Sequence, residues 1–588
     1  MNSETKTCQN CHSPFIIEPD DFAFYERIKV PPPTFCAECR EKRRIASRNE
    51  RSLYRRKCDM CGKEVVSRIS PDKTYPMYCN NCWWSDKWDV LSYGRDFDAT
   101  KPFFAQYKEL LYLVPHVAMY NSAVVNSDWV NQETNDKNCY LNVGGHYNEN
   151  SAYNTYEVYG KDSLDCHWLL NSEFCYAAIN CHRCYKAFYS QDCFDCQDTY
   201  FSYDCRNCTN ILGCAGLRNK QNYIFNKPVS KEEFAKFLEE NPLSSAKNVA
   251  RLAAEARKIG SGIPRRFSAV FKSVNCSGNN LVESKNAHYV FDGGTIENSK
   301  YLFITGWVKD SYDMTSSGGS ELSYECSSGG GGYNVKFTAY SMSPNPLEKM
   351  HSRDLEYCYA TGDCDSCFGC VGLRSKKYCI LNKQYSEADY QKKVAEIRQQ
   401  MMAVPYADGM GREYRYGEFF PSELSLFGYN ESAAMDYYPL TRDEALAQGY
   451  VWSDYESETS VAFSGYEIPD DIKDVKDDVL EKVLECEVSG KPYKIIPMEL
   501  AFYRRMGLPL PRRAPLQRHK DRTAKLLPRK LFDRACECGG KASNKGGFAN
   551  TTPHFHGDGH CPNIVQTPYA PDRPEIVYCE QCYQTEII

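Results

Sequence analysis

Hydrophobic and polar positions in the middle of the chain recur with a step of twelve residues. Between residues 138 and 214, one column holds small or medium-sized residues: Cys139, Ser151, Ser163, Cys175, Ala187, Thr199 and Ile211. The next column is mostly aromatic or aliphatic: Tyr140, Ala152, Leu164, Tyr176, Phe188, Tyr200 and Leu212. A fixed step that preserves residue type by column is typical of stacked coils, because like side chains then lie above one another. The pattern predicts a β-solenoid.

The solenoid is predicted to be duplicated. An offset of 156 residues pairs Cys214 with Cys370 and Asn226 with Asn382, inside two closely similar segments. The second half keeps the twelve-residue step with fewer cysteines, as in the column Ser299, Ser311 and Ser323. We therefore expect a mainly β chain with helical insertions, flanked by two small modules at its ends.

The N-terminal module carries two sets of paired Cys-x-x-Cys knuckles. Four thiolates in two matched pairs are typical of a tetrahedral zinc site that is closed to solvent, which indicates a structural rather than a catalytic metal. The predicted ligands are Cys8, Cys11, Cys36 and Cys39 for the first site, and Cys58, Cys61, Cys79 and Cys82 for the second.

The first of these stretches also resembles a known family. It runs Cys8-x-x-Cys11, an aromatic residue, Phe24-Tyr25, three prolines and Cys36-x-x-Cys39-Arg40. This pattern resembles that of the probable zinc-ribbon domain family, a treble-clef family, over about 40 residues. The resemblance implies a zinc-binding fold and no settled activity.

The C-terminal module is a degenerate copy of the N-terminal one. An offset of 478 pairs Cys8 with Cys486 and Cys58 with Cys536, whereas the other ligands of the first site fall on Ser489, Ala514 and Gln517. The second site is predicted to survive as Cys536, Cys538, Cys579 and Cys582. An insertion of 22 residues separates its halves and carries His554, His556, His560 and Cys561. These residues are candidates for another metal site or for contact with a ligand, and a plain polar loop is the alternative.

The central cysteines allow two interpretations. A buried neutral thiol packs like a small hydrophobic residue, and we favour this role. Additional zinc or an iron-sulfur cluster is the alternative, with the candidates Cys181, Cys184, Cys193, Cys196, Cys205 and Cys208. With the terminal sites alone, the chain is expected to bind about three zinc ions.

Composition and charge predict where the protein is located and what it binds. The 588 residues include 31 cysteines but no apolar run of the roughly 18 residues that a membrane span needs, so we expect a cytoplasmic protein whose thiols stay reduced. Basic tracts near both ends contrast with a formal net charge of -6. They predict phosphate contacts with nucleic acid, RNA in preference to DNA, through Arg43, Arg44, Arg55, Arg56, Arg504, Arg505, Arg512, Arg513 and Arg518.

The leading hypothesis is a non-enzymatic, zinc-binding scaffold associated with nucleic acid. One alternative is a protein-interaction scaffold that uses the solenoid face. Another is a solenoid enzyme acting on a glycan through stacked carboxylates such as Asp192 and Asp204, but no set of residues converges into catalytic roles. The predicted divisions are a zinc module (1–95), a helical cap (96–126), the first solenoid half (127–228), a helical insertion (229–262), the second half (263–385), a helix with an acidic connector (386–474) and the C-terminal module (475–588).

Overall fold

The chain folds into two units, each built from one terminal module and one half of the solenoid. The computed structural model describes residues 2–330, 332–341, 352–455, 463–544 and 546–587. Unit 1 comprises Met1–Tyr120 and Ala269–Glu456, and unit 2 comprises Asn121–Ser268 and Ser457–Ile588. The N-terminal module is therefore grouped with the second solenoid half, and the C-terminal module with the first.

The solenoid half of unit 2 confirms the predicted β-solenoid and its twelve-residue step. Parallel strands pair in this register, as Tyr185 does with Gln197 and Gln197 with Thr209. Its strands are Asn121–Ser122, Glu133–Thr134, Thr155–Val158, His167–Leu170, Ile179–His182, Tyr185–Phe188, Gln197–Tyr200, Thr209–Leu212, Gln221–Ile224 and the closing Lys227–Pro228.

A finer period of three residues lies within each coil. The backbone is left-handed at every third position, for example at Asp192, Asp195 and Asp198, with φ of 55°, 55° and 47°. Each such residue turns the chain, and the residue after it points into the interior, as Cys193 and Cys196 do. Asn and Asp are frequent at these corners because their short polar side chains tolerate this conformation better than most residues do. The three-residue period explains why the solenoid cysteines occur as Cys-x-x-Cys pairs.

The interior of the coils is narrow and lined by small side chains. Ser163 accepts a hydrogen bond from the backbone N–H of Cys175 one coil later, at 3.0 Å. The Cys193 thiol donates to the carbonyl oxygen of Gln191 at 3.4 Å. Serine and cysteine therefore fill the space and satisfy backbone groups that the corners leave without a strand partner.

In its described residues, the solenoid half of unit 1 forms one sheet of ten strands. Ser311 donates its backbone N–H to Ser299 Oγ at 3.1 Å, and Ser323 donates to Ser311 Oγ at 2.9 Å, so the predicted serine column is confirmed. The strands are Val270–Phe271, Gly278–Val282, Lys285–Lys309, Tyr312–Gly318, Tyr324–Gly330, Lys336–Ser341, Arg353–Glu356, Asp365–Phe368, Lys377–Ile380 and Lys383–Gln384.

Short hairpins and helices build the modules and connectors of unit 1. Its remaining strands are Glu4–Thr7, Pro14–Ile17, Tyr54–Lys57, Glu64–Ser67, Met77–Tyr78, His116–Val117, Tyr406–Ala407 and Glu413–Tyr414. Its α-helices are Pro19–Arg27, Ala37–Ala46, Asn80–Trp83, Phe103–Leu113, Glu387–Ala403, Ala434–Tyr437 and Arg442–Ala447, and its 3-10 helices are Val90–Tyr93, Ser422–Leu424 and Tyr429–Glu431.

The predicted cap lies on the second solenoid half. Phe103, at the start of the cap helix, packs edge-to-face against Phe368 in one of the last coils, with ring centroids 5.3 Å apart. The helix thus covers strands of the half with which the N-terminal module is grouped. Residues 456–462 of the predicted acidic connector lie outside the described residues.

Unit 2 follows the same plan with fewer elements. The predicted helical insertion consists of Lys231–Glu240 and Ala246–Ser261. The C-terminal module contains the α-helices Pro497–Met506, Pro515–Thr523 and Glu580–Ile587, the 3-10 helix Asp477–Glu481, and the strands Leu484–Glu485, Pro492–Tyr493, Phe532–Ala535, Ile564–Thr567 and Val577–Tyr578. The 3-10 helix Ile472–Asp474 precedes the module, and the strand Arg265–Arg266, which follows the helical insertion, pairs with Val577–Tyr578. Among the described residues of the whole chain, no helix combines the length and apolar character needed to cross a bilayer.

Candidate metal centres

The first N-terminal site forms as predicted. The Sγ atoms of Cys8, Cys11, Cys36 and Cys39 lie within 4.8 Å of one another. One pair sits on the turn of the first hairpin, and Cys36 caps the helix Ala37–Ala46, so two local structures deliver the four thiols. Hydrogen bonds from Cys36 and Cys39 hold the pKa of Cys8 well below its ordinary value, which favours the thiolate that a metal requires.

The second N-terminal site repeats this arrangement. Cys58, Cys61, Cys79 and Cys82 form a group in which the Sγ atoms of Cys61 and Cys79 are 3.9 Å apart. Although burial opposes ionisation, the backbone N–H groups of Cys79 and Cys61 lower the pKa of Cys58 to about 7. The fully buried Trp83 belongs to the hydrophobic core beside this site.

The C-terminal site differs from the prediction in one ligand. The group that converges is Cys536, Cys561, Cys579 and Cys582, so Cys561 takes the place predicted for Cys538. The strands Phe532–Ala535 and Ile564–Thr567 pair antiparallel, and the backbone N–H of Cys536 donates to the carbonyl oxygen of Asn563 at 2.9 Å, so Cys561 lies close to Cys536 at the end of this hairpin. With a single residue between them, Cys536 and Cys538 point to different places. Hydrogen bonding from Cys536 lowers the pKa of Cys579 to about 4.

The sequence held a signal for Cys561. Beyond the insertion, an offset of 500 rather than 478 relates the two modules and pairs Cys61 with Cys561, Cys79 with Cys579 and Cys82 with Cys582. The four ligands of the second site are therefore equivalent in the two modules, and the 22 extra residues lie before Cys561 in the sequence.

The insertion also brings together a further group. Cys538, His554, His556 and Cys582 have ligand atoms within 4.8 Å of one another, and Cys582 belongs to both C-terminal groups. The fourth candidate of the insertion, His560, belongs to neither group. It is exposed, and its Nδ1 lies 2.6 Å from Asn544 Oδ1.

The central cysteines do not converge. Among the described residues, none of the six solenoid candidates belongs to a group of metal-ligand atoms, and their thiols face backbone carbonyl oxygens instead. Burial raises the pKa of Cys205 well above its ordinary value and keeps the thiol protonated. The contacts of these thiols with carbonyl oxygens support the packing role. Among the described residues, the six cysteines provide no set of ligands for an iron-sulfur cluster.

Three of the nine candidate nucleic-acid arginines, Arg43, Arg44 and Arg518, are buried in ion pairs. In unit 1, Arg44 Nη1 lies 2.7 Å from Glu325 Oε2 and 3.2 Å from Asp313 Oδ1. Arg43 Nη2 lies 3.3 Å from Glu325 and 3.4 Å from Glu418. Asp313 and Glu325 are solenoid residues with no exposed surface. These guanidinium groups attach the module to the solenoid and are not presented to phosphate.

Unit 2 repeats this attachment at the equivalent position. Arg518 pairs with Glu499 at 3.0 Å and with Asp165 of the solenoid at 3.2 Å, and Arg522 pairs with Asp165 at 2.6 Å. The offset of 478 relates Arg518 to Arg40 and Arg522 to Arg44, and Arg40 contacts Asp313 at 2.8 Å. Both modules therefore dock through arginines of one helix onto a buried solenoid aspartate.

The other six candidate arginines are more exposed and contact nearby acceptors within their own unit. The pairs are Arg55 with Glu64, Arg56 with Asp59, Arg504 with Asp477, Arg505 with Asp162, Arg512 with the carbonyl oxygens of Ile468 and Pro469, and Arg513 with Glu487 and Asp521.

The stacked aspartates are tied into the fold. Asn180 donates to Asp192 at 2.5 Å, and burial raises the pKa of Asp192 to about 6. Asp204 pairs with Arg218 at 3.0 Å and accepts a hydrogen bond from Tyr583 of the module. These contacts give both carboxylates a structural role.

No family model matches this sequence, and no curated protein matches it either. The resemblance of residues 8–40 to zinc-ribbon domains therefore remains an expectation based on the motif.

Proposed function

We propose that this protein is a non-enzymatic scaffold in which zinc braces the terminal modules and buried arginines fix each module to a solenoid half. The observation that carries the proposal is the repeated attachment: Arg44 on Asp313 and Arg522 on Asp165 occupy equivalent positions in the two units. Such an arrangement places positive charge inside the protein as part of its architecture.

The sulfur distances support zinc as the metal. Four thiolates around zinc at about 2.3 Å define a tetrahedron whose edges are about 3.8 Å long. The distance between Sγ atoms is 3.7 Å from Cys11 to Cys36, 3.9 Å from Cys61 to Cys79, and 3.8 Å from Cys561 to Cys579. Four protein ligands fill the coordination sphere, so these sites have no position for a substrate or an activated water.

The buried ion pairs favour a scaffold over nucleic-acid association. A phosphate-binding surface needs cations that are free to replace counterions, and affinity then falls steeply with salt. Arg43, Arg44 and Arg518 are instead neutralised by carboxylates inside the fold. A protein partner on the solenoid face remains compatible with this architecture.

The test is RNA binding by the zinc-loaded full-length protein, measured by fluorescence anisotropy of a labelled single-stranded RNA between 50 and 200 mM salt. The scaffold proposal predicts only weak binding, comparable with that of an unrelated acidic protein. Submicromolar affinity with a steep salt dependence would favour the nucleic-acid hypothesis instead. Metal analysis of the same sample should find zinc, and its absence would refute the bracing role.

A further inference from the structure

We propose that the C-terminal module holds a two-metal centre in which the Cys582 thiolate bridges both ions. One ion is bound by Cys536, Cys561, Cys579 and Cys582, and the second by Cys538, His554, His556 and the same Cys582 sulfur. This inference rests on the proposed zinc occupancy of the first group, and it adds a site with no counterpart among the described residues of the N-terminal module.

The distances suit a second tetrahedral ion. With zinc–sulfur and zinc–nitrogen bonds of about 2.3 and 2.05 Å, a sulfur and a nitrogen in one tetrahedron lie about 3.6 Å apart. Cys582 Sγ lies 3.4 Å from His556 Nε2. The imidazole nitrogen is therefore at ligand distance from a sulfur that already belongs to the first group.

His556 is held in the orientation that a ligand needs. Its Nδ1 lies 2.8 Å from the carbonyl oxygen of Gly559, so the Nδ1–H donates there and the lone pair of Nε2 faces Cys582. Metal-bound histidines characteristically use their second nitrogen in this way.

His554 provides an independent indication of a missing partner. Its side chain has no exposed surface, and neither ring nitrogen makes a hydrogen bond to any described residue. The nearest carboxylate oxygen, Glu586 Oε2, lies 3.3 Å from His554 Nε2, and hydrogen bonds from Thr551 and Thr552 hold this carboxylate in place. The other ring nitrogen, Nδ1, is buried without a hydrogen-bond partner among the described residues. A buried polar atom without a partner is costly, and a metal ion would supply the partner.

Cys538 completes the second group. It is fully buried, and Asn550 Nδ2 donates a hydrogen bond to its sulfur at 3.2 Å. The amide of Asn550 is in turn fixed by the Tyr578 hydroxyl, which donates to its Oδ1 at 2.8 Å. An oriented N–H donor stabilises a thiolate in the same way that outer-sphere groups support metal ligands.

The charge balance also favours two ions. Five thiolates and two neutral imidazoles around two divalent ions carry a net charge of -1, whereas four thiolates around one ion carry -2. A bridging sulfur shares its charge between both cations. The second ion therefore reduces the charge that the buried site has to accommodate.

Metal stoichiometry of the full-length protein, measured by native mass spectrometry with zinc supplied during expression, tests the inference. Wild type should hold four zinc ions: two in the N-terminal module and two in the C-terminal one. The His554→Ala/His556→Ala variant should hold three, and the matched control His560→Ala, from the same loop, should keep four. Three ions in wild type, unchanged by His554→Ala/His556→Ala, would overturn the two-metal centre while leaving the proposed function intact. No zinc at all would overturn both.

The bridge itself has a spectroscopic signature that does not depend on a variant folding. With four cadmium-113 ions in place of zinc, NMR should show two resonances split by mutual scalar coupling through the Cys582 sulfur. Four uncoupled resonances would show that the second ion does not share this thiolate and would refute the bridge.

Discussion

Neutralising Glu325 should destabilise unit 1 far more than removing a surface ion pair. Glu325 has no exposed surface and faces three guanidinium groups, with Arg44 at 2.7 Å, Arg43 at 3.3 Å and Arg40 at 3.8 Å. Together with Asp313 and Glu418, it balances three positive charges with three negative ones. Glu325→Gln leaves one buried positive charge uncompensated, and breaking a buried pair in this way costs about 3–5 kcal/mol.

The matched control is Arg55→Met, because the pair of Arg55 with Glu64 is exposed, with 64% and 55% of the two side chains accessible. Such pairs contribute about 0–1 kcal/mol. The assay is urea unfolding at saturating zinc, followed by near-ultraviolet circular dichroism from the aromatic side chains. Arg44→Met combined with Glu325→Gln restores the charge balance and should lose less stability than the two single losses added together. If Glu325→Gln cost no more than Arg55→Met, the docking role of this cluster would be wrong.

Three further predictions concern unit 2. Burial raises the pKa of Glu157 to about 8 from an ordinary 4.5, so the folded state binds this proton more tightly than the unfolded state and loses stability as the pH rises towards 8. Relative to Glu157→Gln, wild type should lose about 2–3 kcal/mol between pH 6 and 8, at about 1.4 kcal/mol per unit, and a flat difference would contradict this. Cys193→Ser should cost less than about 1.5 kcal/mol, because serine fills the same interior columns, whereas Cys193→Leu should cost about 1–3 kcal/mol or more by overpacking; equal losses in thermal unfolding would disprove the narrow interior. Asp165→Asn should destabilise the C-terminal module by about 3–5 kcal/mol, because it leaves the charges of Arg518 and Arg522 without their shared partner; unchanged protease resistance of residues 475–588 would be inconsistent with docking.

Much of the fold could be predicted because residues of the same type recur in the sequence at the spacing of the solenoid coils. Most coils contain twelve residues, so columns such as Ser299, Ser311 and Ser323 can be recognised in the sequence alone. The three-residue corner period is not evident from the sequence, because its left-handed positions accept aromatic residues such as Phe201 and Tyr189 as well as Asn and Asp.

The candidate metal sites could be predicted wherever the ligand spacing was local. Both N-terminal groups have Cys-x-x-Cys pairs on a hairpin turn and at a helix start, and every predicted ligand converges. In the C-terminal module, the nearest cysteine to Cys536 in the sequence is Cys538, and local spacing therefore predicts it as a ligand together with Cys536, Cys579 and Cys582. Strand pairing selects Cys561 instead, and that pairing spans an insertion that local spacing does not describe.

The role of the arginines could not be predicted from composition. A helix with several arginines has the same sequence whether it faces solvent or a solenoid aspartate 269 residues away, as Arg44 does with Asp313. The acidic partners are dispersed along the solenoid, one to a coil, so no local pattern in the sequence reveals them.

Hydrogen–deuterium exchange of the zinc-loaded full-length protein tests the central claim most directly. Peptides covering the helices Ala37–Ala46 and Pro515–Thr523 should exchange as slowly as the solenoid strands, and added RNA should leave their exchange unchanged. Fast exchange of both helices in the free protein, with protection appearing only when RNA is added, would contradict the claim that their arginines serve to fix the modules to the solenoid.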